Sequence, residues 1–214
     1  MKKLVLYSEQ IPSVSDTIDE ELVTLLGKSN PIVGYIPSNA DPQRKYYKER
    51  QAYYSRLGMD LAVYFELDKE YHPNLFESLL SCDAIHLSGG NTYYFLHWLR
   101  KRKILLPLCQ YVEYGGVLIG VSAGSILMTP DISTAALYGD EPIEGESSTA
   151  ALNLVNFAFA PHFRNREMSP DLAALQEYSR DHQIVVYACQ DSGGIVVTED
   201  NMKCVGDVIK VDER

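Results

Sequence analysis

The sequence predicts an α/β fold: a doubly wound, mostly parallel sheet flanked by helices, with a short antiparallel extension near the carboxyl end. Three observations carry this. Short apolar runs rich in β-branched and aromatic residues recur up to Val121, longer mixed segments separate them, and closely spaced strand-like runs dominate the last third. No repeat or linker-like stretch divides the chain, so residues 1–214 are expected to form a single α/β domain.

Leu4 to Tyr7 opens the series, apolar at every position as a strand covered on both faces must be. Ile32 to Ile36, Leu61 to Phe65, Ala84 to Leu87 and Val117 to Val121 repeat the pattern. Between them Ser15 to Leu26, Arg44 to Leu57, Pro73 to Leu80, Thr92 to Arg102 and Leu105 to Tyr114 read as helices, and strand–helix alternation is the signature of parallel crossovers. The basic run Arg100 to Lys103 reads as the solvated end of a helix, where cations suit the helix dipole.

After Ser122 the pattern loosens, and Ala135 to Ala150, polar and without periodicity, is expected to form a loop over the carboxyl edge of the sheet. Leu154 to Ala160, Ile184 to Cys189, Gly194 to Thr198 and Lys203 to Val211 read as further strands. Asp171 to Arg180 reads as a helix opened by Ser169-Pro170. Turn residues at Asp191 to Gly194 and Glu199 to Met202 would join the last three strands into a meander or hairpin extension.

Composition bounds the function. Nineteen Lys and Arg against twenty-nine Asp and Glu leave a net charge of −10, which argues against nucleic-acid and membrane-surface partners. With 46% hydrophobic and 22% charged residues, a packed globule is expected rather than a disordered chain. Cys82, Cys109, Cys189 and Cys204 are scattered without a C-x-x-C, which fits reduced thiols and not a zinc cage. The apolar run after Met1-Lys2-Lys3 stops at Ser8-Glu9, too short for a signal peptide, and Val117 to Met128 is too short to span a bilayer. A soluble, cytoplasmic protein is expected.

Gly120-Val-Ser-Ala-Gly124 stands between a strand and a helix start, where small flanking residues permit a strained turn that presents the Ser122 hydroxyl. A serine acting near neutral pH needs a base, an orienting acid and an oxyanion hole. His162 is the base candidate, because it follows an apolar strand and a proline; His86 lies inside a strand, His97 on a helix, and His72 and His182 in polar connections. Asp191 and Asp140 both qualify as the acid. Ser88-Gly-Gly-Asn-Thr92 closes a strand at the same edge, so the Gly90 amide can serve as one oxyanion donor and the Ala123 amide as the other.

These motifs resemble the serine dipeptidase family of aspartyl dipeptidase (peptidase E), to which cyanophycinase is related, within the class I glutamine amidotransferase-like fold. The likeness rests on Ser88 to Thr92, Gly115 to Gly124, Pro130, Asp140-Glu-Pro-Ile143, Leu152 to Val155 and Pro161-His-Phe163, in that order along most of the chain. It implies Ser122 as nucleophile, His162 as base, and Gly90 and Ala123 as oxyanion hole; it matches both Asp140 and Asp191, where the family usually carries Glu, to positions tied to catalysis, and Asp191 is favoured for its more rigid place at a strand end. It also implies an acyl-enzyme that needs no metal or organic cofactor, and short peptides, with amino-terminal aspartate among them, as substrates. Asn91, Arg164 and Arg166 are the implied substrate contacts, with Arg180 further from the motif. An α/β-hydrolase esterase would carry its histidine last in chain order, and a glutamine amidotransferase would carry cysteine in place of Ser122. A non-catalytic binding protein on the same fold is the alternative of a different class.

Overall fold

The computed structural model describes residues 1–69, 72–164 and 170–214. Along the first half run β1 (Lys3–Tyr7), α1 (Asp16–Leu26), β2 (Ile32–Ile36), α2 (Lys45–Arg56), β3 (Asp60–Tyr64), α3 (Pro73–Leu80), β4 (Ala84–Leu87), α4 (Thr92–Lys101), α5 (Leu105–Glu113) and β5 (Val117–Val121). Then come α6 (Ala123–Ile126), a 3-10 turn over Ser133–Tyr138, β6 (Ala158–Ala160), α7 (Leu172–His182), β7 (Val186–Cys189), β8 (Gly194–Thr198), β9 (Met202–Val205) and β10 (Val208–Val211). The fold is α/β, with a mostly parallel central sheet.

Among the described residues the strands form two sheets. The larger runs β3-β2-β4-β5-β1-β8-β9; its first five strands pair in parallel, and β8 and β9 extend it antiparallel beside β1. The smaller runs β10-β7-β6, with β7 parallel to β6 and antiparallel to β10.

Strand period explains the two covered faces of the large sheet. Along β1, Leu4 and Leu6 join the cluster that contains Phe95, Leu96, Leu99 and Leu108 of α4 and α5. Val5 and Tyr7, pointing the other way, join Ile18 and Leu22 of α1 and Tyr54 of α2. A strand buried on both faces must be apolar at successive positions, which is why these runs are legible as strands.

Several expectations need correction. The strand expected over Leu154 to Ala160 is confined to Ala158–Ala160, because residues 151–154 run beside the segment that follows α6, with the Leu152 and Leu154 amides bonded to the Leu127 and Met128 carbonyls. The run Lys203 to Val211 breaks at Gly206-Asp207, sending β9 to the large sheet and β10 to the small one. β8 and β9 form the expected hairpin, but β7 lies in the other sheet, so the last strands are no meander. As for α7, Ser169 lies outside the described residues, and the cap is Asp171, whose carboxylate accepts the Ala174 amide at 2.8 Å.

The basic end of α4 is not simply solvated. Arg100 donates to the Ser148 and Ala150 carbonyls at 2.6 and 2.5 Å, and Arg102 Nε donates to the Leu67 carbonyl at 2.6 Å. The Arg100 bonds and a 2.8 Å contact from His97 to Glu146 fasten the segment 131–150 along α4, and a bridge between Asp131 and Ala150 closes that segment on itself. Among the described residues no helix is long and apolar enough to cross a membrane.

Candidate active site

β1, β2, β4 and β5 are parallel, so the segments that follow them emerge at one edge of the sheet, where ligands of such folds bind. Ser122 follows β5 with φ 51° and ψ −109°, a conformation that costs an L-residue free energy and that the surrounding structure must impose. Two features impose it. The Ser122 amide donates to the Tyr7 carbonyl at 3.1 Å, and Ser125 Oγ donates to the same carbonyl at 2.8 Å. Gly124 lets α6 approach β4: a Cβ there would stand 2.1 Å from the Leu87 carbonyl oxygen.

His162 arrives from the small sheet, just beyond β6. Its Nε2 lies 2.9 Å from Ser122 Oγ and its Nδ1 lies 2.7 Å from Asp191 Oδ1. An ionised carboxylate can only accept, so Nδ1 carries the proton in the neutral ring and the Nε2 lone pair faces the serine hydroxyl. Such a line can take a proton from Ser122 and stabilise the imidazolium that results. The imidazole is 6% exposed, shielded enough for its charge to be felt.

Asp191, on the turn after β7, is therefore the carboxylate against the imidazole; Asp140 is not. Asp140 accepts from the Thr92 amide at 2.7 Å and from Asn91 Nδ2 at 3.1 Å, binding segment 131–150 to the start of α4. Asn91 is likewise committed to structure: its Oδ1 caps α4 by accepting the Tyr94 amide at 2.8 Å. Its side-chain amide thus joins the start of α4 to Asp140.

The Gly89-Gly90 segment lies over the serine, with the position of a Gly89 Cβ only 3.6 Å from Ser122 Cβ. Gly90 has φ +132°, which disfavours any residue with a side chain. Among the described residues neither the Gly90 nor the Ala123 amide is spent on a backbone carbonyl. Backbone donors left uncommitted in this way are what an oxyanion requires.

Residues after β2, which the sequence alone did not single out, complete this wall. Ser88 Oγ accepts the Ser38 amide at 2.7 Å, and Ser38 Oγ donates to the Gly89 carbonyl at 2.6 Å, so the two serines brace the glycine turn. Asn39 Nδ2 lies 2.8 Å from where a Gly90 Cβ would stand. Their only signal in the sequence is position, directly after a parallel strand at the same edge.

Arg164 is exposed and its guanidinium sits 5.4 Å from the Phe163 ring centroid, next to His162. Arg166 lies outside the described residues. His86 is a core residue, its Nδ1 2.8 Å from Tyr54 Oη, and burial holds its pKa well below the ordinary imidazole value. His72, His97 and His182 stay away from the serine: His72 precedes α3, His97 contacts Glu146, and His182 stacks on Tyr178. Among the described residues no group of His, Cys, Asp and Glu is arranged to hold a metal ion.

The family model described as peptidase family S51 matches residues 5–205. A peptidase E from Nostoc sp. (strain PCC 7120) is 28% identical over 148 residues, 68% of this chain and 58% of that protein. A peptidase E from Shewanella oneidensis is 37% identical over 94 residues, 44% of this chain and 39% of that protein. This chain thus spans less than two thirds of the length of these relatives. A crystal structure of a peptidase from an acI-B1 Actinobacterium superposes with a TM-score of 0.72 at 19% identity, covering 100% of this chain and 92% of that one. At that identity the likeness speaks to the fold alone.

Proposed function

We propose, on the premise that this chain belongs to peptidase family S51, that it is a serine peptidase cleaving short peptides, dipeptides with amino-terminal aspartate among them, through an acyl-enzyme on Ser122. The observation that carries the reading is the continuous line from Ser122 Oγ through the His162 ring to Asp191, with contacts of 2.9 and 2.7 Å. Ser122 Oγ attacks the peptide carbonyl while His162 Nε2 takes its proton. The tetrahedral oxyanion rests on the Gly90 and Ala123 amides, and Asp191 stabilises the imidazolium. His162 then protonates the leaving amine, and water, activated by the same imidazole, releases the acyl group.

In this reading residues 1–214 act as one α/β peptidase unit, since Ser122 comes from the large sheet and His162 and Asp191 from the small one. Arg164, beside His162, is the cation assigned to a substrate carboxylate. A cytoplasmic setting suits the four free cysteines, of which Cys82 and Cys189 are buried.

The test is a panel of Asp-X dipeptides, other X-X dipeptides and short-chain p-nitrophenyl esters, assayed with the wild type and Ser122→Ala. Release of free amino acid from dipeptides, abolished in the variant, is expected. Ester turnover without peptide turnover, or peptide cleavage that survives Ser122→Ala, would overturn the reading.

A further inference from the structure

We infer that Ser8 is a positioning residue, whose one hydroxyl ties the turns bearing His162 and Asp191 to each other at the end of β1, next to the Tyr7 carbonyl that holds the Ser122 elbow. The inference rests on the hydrolytic reading of that site. It adds a part that touches no reacting atom.

The carboxyl end of β1 is where the three turns meet. Tyr7 supplies the carbonyl that accepts from Ser122 and Ser125. The next residue, Ser8, is fully buried at 0% exposure and commits its amide and its hydroxyl to the other two turns. Its amide donates to the Gly193 carbonyl at 3.1 Å, its Oγ donates to the Cys189 carbonyl at 3.1 Å, and its Oγ accepts the His162 amide at 2.7 Å. Cys189 and Gly193 flank Asp191 on either side, so the bonds of Ser8 bracket the acid while the same oxygen fixes the backbone of the base.

That backbone needs fixing. His162 has φ 56°, a left-handed conformation that a non-glycine residue holds only when its surroundings impose it. The Phe163 amide, bonded to the Cys189 carbonyl at 2.9 Å, adds one tie, and Ser8 adds the one at His162 itself. Replacing Ser8 with alanine leaves the His162 amide and a lone pair of the Cys189 carbonyl without the hydroxyl in a water-excluded corner. The imidazole then loses its register with Ser122, and small misplacements of a reacting group cost rate steeply.

A purely structural role for such a serine predicts a different outcome. Ser179 provides the control: it too is at 0% exposure, donates to the Ile184 carbonyl at 2.7 Å and accepts the Glu213 amide at 3.1 Å, but stands on α7. The experiment compares the full chain as wild type, Ser8→Ala, Ser8→Cys and Ser179→Ala. Three quantities are read: the melting temperature, the rate of fluorophosphonate labelling, and the low-field NMR signal of the His162 Nδ1 proton.

Both alanine variants should melt lower. Only Ser8→Ala should label about tenfold more slowly or worse and lose or broaden the low-field signal, while Ser179→Ala labels within about twofold of wild type. Wild-type labelling and an unchanged signal in Ser8→Ala, or the same slowing in Ser179→Ala, would overturn the inference. If Ser8→Ala does not fold, Ser8→Cys, with a weaker hydrogen-bonding group of similar shape, should still label more slowly than Ser179→Ala; equal rates would overturn it. A wild type that never labels would refute the hydrolase reading instead. The low-field signal then decides on Ser8 alone: lost with Ser8→Ala and kept with Ser179→Ala supports positioning, and kept in both overturns it.

Discussion

Replacing Asp191 by asparagine removes the charge opposite the imidazolium while keeping the shape of the side chain. The carboxylate oxygen lies 2.7 Å from His162 Nδ1, which puts the two charge centres roughly 4 Å apart. At an effective dielectric of about 20 their attraction is about 4 kcal/mol, or roughly 10³-fold in rate. The introduced carboxamide also offers an N–H toward Nδ1, favouring the tautomer whose Nε2 proton faces Ser122, and this adds to the loss. Because the Asp191 side chain is 30% exposed, solvent screening holds the expected fall in kcat to about 10³-fold rather than more. The assay is steady-state release of amino acid from a cleaved dipeptide, with Asp140→Asn measured beside it. Asp140 bonds Thr92 and Asn91, so its loss should cost about tenfold or less, through the glycine turn next to it. Equal losses in the two variants, or more than a tenth of wild-type turnover left in Asp191→Asn, would refute the reasoning.

Gly90→Ala should lower kcat on the order of 10²-fold with KM changed far less, because its Cβ would stand 2.1 Å from Ser38 Oγ and push the Gly90 amide off line; steady-state kinetics on folded protein checks it. Ser38→Ala should lower stability by about 1 kcal/mol and kcat by several-fold, since it removes the brace on the Gly89 carbonyl; urea unfolding and kinetics read the two effects separately. Asp83 titrates below its ordinary 3.8: burial pushes it up, but the Lys28 ammonium at 2.8 Å and the Ile32 amide outweigh this and hold it down. A lowered folded pKa gives stability that is present above the unfolded value and lost as pH falls through the folded one. Asp83→Asn should therefore destabilise at pH 7, with the deficit shrinking below about pH 3.8 in a denaturation series; a pH-independent deficit would contradict the assignment.

Much of this was legible because the physics is local. The strands of the large sheet are readable since burial on both faces leaves no polar position in β1 after Lys3 or in β5, and Gly120 to Gly124 is readable since its small residues answer a steric demand of the turn. What was hidden depends on contacts between distant segments. Ser8 and Ser38 are ordinary residues until β7 and β4 bring carbonyls to them. The residues by themselves leave Asp191 and Asp140 both open as the acid, with Asp191 favoured only for its strand-end place, because tertiary placement decides which carboxylate meets the imidazole and which binds the start of α4. The division of Lys203 to Val211 between two sheets is hidden for the same reason: its residues are equally strand-like in both halves, and the sheet each joins is set by partners.

The central claim is that Ser122 is made nucleophilic by His162. Mass mapping after fluorophosphonate treatment tests it directly. A single adduct on the peptide containing Ser122, absent in Ser122→Ala and strongly slowed in His162→Ala, is the result predicted. A folded wild type that takes no adduct, or one whose adduct persists at full rate in His162→Ala, would contradict it.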